Sequence, residues 1–139
     1  MDENSRERSH ALKKLKLEEE LERIYNHLYL LARKSGENHL LPDPKLLASL
    51  SKEMERFKVS DTSFRPELIR IHFWTLYHRI TGNQPAVMDF QIKVYNLWDK
   101  WPQRIKADPN RYIDCLRGYM EVCLEQQNWS GYDLSLIHI

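Results

Sequence analysis

The sequence predicts an all-α fold, a single-domain bundle of about five antiparallel helices, and three observations carry that prediction. Apolar residues recur at alternating spacings of three and four, which places them on one face of a helix. Leu, Glu, Lys and Arg dominate a chain with only four glycines, and no strand-like alternation occurs outside its last residues. Capping residues and prolines fall between the periodic segments, where helices start and stop.

The first helix is expected over residues 7–35, with Leu17, Leu21, Ile24, Leu28 and Leu31 forming a heptad stripe. Gly36 is expected to end it in the left-handed conformation. In Leu41-Pro42-Asp43-Pro44, Asp43 is placed as an N-cap and Pro44 at the first helical position, where its missing N–H costs nothing. The second helix then carries Leu47, Leu50, Met54 and Phe57 to about Lys58. A polar connector, residues 60–63, separates it from a third helix that runs from Pro66 to Gly82-Asn83. That helix is apolar on two faces: Ile69, Phe73, Leu76 and Ile80 line one, Ile71, Trp74 and Tyr77 the other. Such a helix is buried or offers a second face to a partner.

The fourth helix begins near Pro85 and carries Val87, Phe90, Val94, Leu97 and Trp101, beside a second stripe of Met88, Ile92, Tyr95 and Trp98. Trp101-Pro102 ends it, because the residue before proline avoids helical angles. Asp108-Pro109 repeats the cap-then-proline device and opens a fifth helix to about Gln127, with Tyr112, Leu116, Tyr119 and Cys123 on one face.

Residues 1–133 are read as one helical domain, a size that buries a core without disulfides or metal. The last six residues, Leu134-Ser135-Leu136-Ile137-His138-Ile139, match one reading frame of the transposase end used to prepare sequencing libraries. Residues 134–139 are therefore expected to be an adapter-derived tail, and the natural C-terminus beyond Asp133 to be missing.

The charge is balanced, with 21 basic and 20 acidic residues, unlike a dedicated nucleic-acid binder. Cys115 and Cys123 are eight positions apart, about 12 Å along a helix, too far for a disulfide with each other. They suit a reducing compartment. No segment is apolar enough to span a membrane, and the first residues lack the apolar core of a signal peptide. The expected location is the cytoplasm.

Four constellations in the sequence bear on chemistry. A helix-turn-helix is disfavoured, since residues 59–65 make too long a turn and the would-be recognition helix is largely apolar. Lys93, Lys100, Arg104, Lys106 and Arg111, near Trp98 and Trp101, form a candidate nucleic-acid surface by phosphate contact and base stacking. Against it stand Asp99, Asp108 and Asp114 on the same stretch, which make these residues more simply the solvated rims of two helices. His72 and His78 are six apart and share no face as metal ligands would. Arg33 and His39 have the order used by RNA-cleaving helical toxins, but across a predicted helix end, and Arg70, His78 and Arg79 read as a polar seam. The lone Glu7/His10 pair falls short of a di-iron bundle's set, and the cysteines lack zinc spacing, so no metal or cofactor is expected.

The run Glu18, Glu19, Glu20, Glu22 after Lys13, Lys14 and Lys16 reads as an exposed helix face steadied by pairs three and four apart. No nucleophile–base pair or paired carboxylates can be placed together from sequence, so a non-enzymatic role is preferred, and an RNase-like toxin using His39 or His78 stands as the third reading. The expected function is a non-enzymatic protein–protein interaction or assembly module, self-associating or binding a protein partner. Its candidate association surface is Leu17, Leu21, Ile24, Leu28, Leu31, Trp74 and Trp98. A nucleic-acid accessory role is the alternative.

Overall fold

The computed structural model describes residues 3–37, 41–57 and 63–127, and all of its regular structure is helical. The elements are α1 (Glu3–Glu37), α2 (Pro44–Glu55), α3 (Phe64–Thr81), α4 (Gln84–Lys100), α5 (Pro102–Ala107) and α6 (Pro109–Glu125). The five expected helices are all present, and α5 is an added short one. The proposed tail, residues 134–139, lies outside the described residues, as does His39.

Local chemistry explains the boundaries. The Asp43 carboxylate accepts the Lys45 N–H at 2.9 Å, and that of Asp108 accepts the Arg111 N–H at 3.2 Å, so both acids cap helices whose first turn holds a proline. Between α3 and α4 the chain turns on Gly82, whose φ of 77° lies in the left-handed region. Gly82 N–H donates to Arg79 O and Asn83 N–H to His78 O at 2.9 Å, the double closure of a Schellman end. Asn83 then caps α4, its side chain accepting from Ala86 N–H at 3.2 Å. Trp101-Pro102 does break α4 as expected, but the proline also starts α5, because its fixed φ suits a first turn.

Gly36 departs from expectation. It sits inside α1, and the helix continues to Glu37. The last turn is held by the Ser35 hydroxyl on Leu31 O at 2.9 Å and by Arg33 on Glu37 at 3.3 Å, so no left-handed residue is needed there.

The chain divides into two compact units, Met1–Phe73 and Trp74–Ile139, with the division inside α3. In the first, α2 runs antiparallel to α1: Arg23 meets Glu53 at 3.1 Å, and Leu31 later on α1 shares a cleft with Leu46 earlier on α2. The first half of α3 runs parallel to α1: Arg65 reaches Glu18 and Glu22 at 3.6 and 3.4 Å, and the His72 ring lies 6.5 Å from that of Tyr25. Leu21, Ile24, Leu28, Leu50, Met54, Phe64 and Leu68 are buried.

In the second unit α4 and α6 lie antiparallel. Tyr95 meets Tyr119 and Trp98 meets Tyr112, with centroids 5.5 and 5.4 Å apart, and at the far end Gln126 donates to Gln84 O at 2.8 Å. Val87, Val94, Trp98, Leu116, Val122 and Cys123 are buried. One buried polar pair, Gln91 Nε2 to Thr75 Oγ1 at 3.3 Å, ties α4 to the second half of α3. From Phe64 to His78 every residue of α3 is buried or half-buried, as its two apolar faces predict.

Candidate functional site

The heptad stripe of α1 turns inward. Leu21, Ile24 and Leu28 are fully buried, while Leu17 and Leu31 are half-buried. Trp98 is 1 % exposed. Trp74 is half-buried and stacked on His78, with centroids 5.9 Å apart and planes 29° from parallel. Four of the seven residues proposed for association, Leu21, Ile24, Leu28 and Trp98, are therefore core. The physical reason is simple: an apolar stripe with heptad spacing packs equally well against helices of its own chain, and here it does.

What remains outside on α1 is a different set. Residues 3–16 are exposed at every position, a helical arm about 21 Å long. The arm carries Leu12 and Leu15, which are 57 % and 51 % exposed. At 100° per residue these two leucines lie half a turn from Leu21 and Ile24, on the opposite side of the helix. Arg8, Leu12, Leu15 and Glu19 are spaced four, three, four, so they form an outer stripe of their own. Sequence reasoning passed over it because the longer inner stripe dominates the periodicity. The signal was present as two leucines out of phase with the other five.

Three of the four carboxylates in the acidic run work within the first unit rather than forming a plain solvent face. Glu18 and Glu22 hold Arg65, and Glu20 shares Arg23 with Glu53. These pairs are partly exposed, each worth about 0–1 kcal/mol. Glu19 and Arg8 make no ion pair with any other described residue.

No family model, curated protein or solved structure matches this chain. Its site must be read from its own residues.

A cleft between α1 and α2 is lined by Arg23, His27, Leu31, Leu46, Ser49, Leu50 and Glu53 and encloses about 120 Å³. Sites for drug-sized ligands measure roughly 300–1,000 Å³, so this cleft admits a few waters or one small apolar group. Leu46, which lines it, stays about half exposed.

The basic candidates of the second unit are spread over three helices, α4, α5 and α6. Lys93 covers the Phe90 ring at 4.5 Å, and Arg111 pairs with Asp108 at 3.3 Å. Lys100, Arg104 and Lys106 are exposed on α4 and α5, with Asp89 and Asp99 exposed on α4 among them. Trp98, the expected stacking platform, is in the core, and Trp101 is half-buried.

His78 is packed among aromatic rings. It stacks on Trp74 and, at 5.5 Å and 20°, on Phe90, with Tyr77 edge-on. Burial pushes its pKa below the ordinary 6.5. The flanking Arg79 points to Glu125 at 3.5 Å, and Arg70 to Glu67 at 3.7 Å. Burial also pushes the Cys115 and Cys123 thiols up, away from the reactive thiolate form. Among the described residues no group of three or more His, Cys, Asp or Glu side chains gathers to hold a metal ion, and no helix is long and apolar enough to cross a membrane.

Proposed function

We propose that this chain is a non-enzymatic association module whose contact surface is the outer face of α1. The observation that carries the reading is the exposed helical arm over residues 3–16 with two half-exposed leucines on one side. An uncovered helix of that length is marginal in water on its own, so it gains stability from any surface that covers it. Amphipathic helices are recognised through apolar residues three and four apart, the spacing that Leu12 and Leu15 begin. The reading also accommodates the small cleft and the stacked, uncharged His78, neither of which is built for turnover. Two free thiols, Cys115 and Cys123, suit a reducing compartment, and the cytoplasm is the location this reading takes.

A photo-crosslinking amino acid at position 12 or 15, compared with one at the exposed Lys52 on α2, tests this in cells that make the protein. The expected result is a discrete adduct from positions 12 and 15 and none from 52. Equal, unspecific labelling from all three positions would remove the arm as a contact surface.

A further inference from the structure

We infer that the partner of the α1 arm is a second copy of the same chain, bound antiparallel along the stripe Arg8, Leu12, Leu15, Glu19. This rests on the association reading above and names its occupant.

The stripe is self-complementary. Consider a twofold axis placed between Leu12 and Leu15 and perpendicular to two antiparallel arms. Leu12 of one copy then faces Leu15 of the other, and Arg8 faces Glu19. Both relations occur twice, as an isologous interface requires. A parallel pair would instead set Arg8 against Arg8 and Glu19 against Glu19, like charges directly opposed.

Exposure agrees at each position. All four residues are exposed, and neither Arg8 nor Glu19 is engaged by another described residue, although Glu18, Glu20 and Glu22 around it are. The arm also carries Arg6, Lys13, Lys14 and Lys16 against Glu3 and Glu7, while the next segment is acidic. In this register Arg6 and Arg8 lie beside the partner's residues 19–21, with Arg8 against Glu19, while Lys13, Lys14 and Lys16 fall near the axis and off the stripe. The four leucines of such a seam are few. The contact therefore belongs with weak, transient interfaces below about 1,200 Å² rather than with obligate dimers.

The test is sedimentation equilibrium of the full chain from about 10 µM to about 1 mM, for wild type and charge-reversed variants. Wild type is expected to show a monomer–dimer equilibrium. Arg8→Glu alone and Glu19→Arg alone each turn two attractive contacts into repulsive ones and weaken the dimer by roughly tenfold. The double variant Arg8→Glu/Glu19→Arg dimerises like wild type. An equimolar mixture of the two single variants forms a heterodimer, because the new carboxylate at 8 meets the new guanidinium at 19. Circular dichroism controls for folding, which two exposed positions should leave unchanged.

A wild type that stays monomeric throughout, or a dimer indifferent to these reversals, overturns the inference. In either case a discrete adduct to another macromolecule from position 12 would leave the association reading standing. Absence of both the dimer and any adduct would remove the two together.

Discussion

Leu12 and Leu21 stand nine residues apart on α1, two and a half turns, and so point in opposite directions: Leu12 is 57 % exposed and Leu21 not at all. One helix thus divides its apolar residues between two tasks. The inner set closes the first unit against α2 and α3, and the outer set is left uncovered.

Substitutions on the two faces should separate these tasks. Leu28→Ala opens a cavity at a fully buried position and is expected to cost about 2–5 kcal/mol. Leu15→Ala, on the exposed face, should stay within about 0.5 kcal/mol of wild type in the monomer. Urea unfolding of the two variants at low protein concentration checks the contrast.

Gly118 lies in the interior of α6, where glycine is a poor helix former. A Cβ added there would meet only Gln91 Oε1, at 3.6 Å, an ordinary contact. Gly118→Ala should therefore stabilise the fold by about 0.5–1 kcal/mol, read as a raised melting temperature.

Gly82 gives the opposite sign. Its φ of 77° costs an alanine about 1–2 kcal/mol despite open space around it. A matched thermal melt of Gly82→Ala should show destabilisation, with the helical content of α3 and α4 retained.

The His78 ring predicts an acid-side slope. Its folded pKa lies below 6.5 because burial disfavours the charged form. Between the folded value and 6.5 the unfolded chain binds more protons, so stability is full above 6.5 and falls as pH drops through that window. His78→Phe keeps a ring between Trp74 and Phe90 without the titration. Melting temperatures from pH 8 to 5 should fall less for this variant than for wild type.

Burial raises Tyr119 to about 12, helped by repulsion from Cys123 and by its own hydroxyl donating to that sulfur. Here the sign is reversed: stability is complete below pH 10 and declines as pH rises toward 12. Tyr119→Phe should flatten that alkaline decline in a denaturant titration at pH 9–11.5.

Much of the fold could be read because its boundaries are set locally. Asp43-Pro44, Gly82-Asn83 and Asp108-Pro109 each carry a cap whose geometry follows from the side chain next to it. α5 was not legible, since Pro102 serves equally as the stop of one helix and the start of another. The outer stripe of α1 was not legible, and none of the seven residues expected for association lies on it. Periodicity identifies a stripe but is blind to which stripe finds cover within the chain, and that depends on apolar residues far away in sequence such as Leu50, Met54, Phe64 and Leu68. Trp98 misled for the same reason: a tryptophan beside lysines reads as a stacking platform until α6 closes over it with Tyr112.

The central claim is that the outer face of α1 is covered by association. Amide hydrogen exchange across residues 3–16, followed at about 10 µM and about 1 mM protein, tests it most directly. The account predicts an arm that exchanges almost freely in dilute solution and gains protection at high concentration, with the buried turns around Leu21–Leu28 unchanged. Equal, fast exchange of the arm at both concentrations would contradict it.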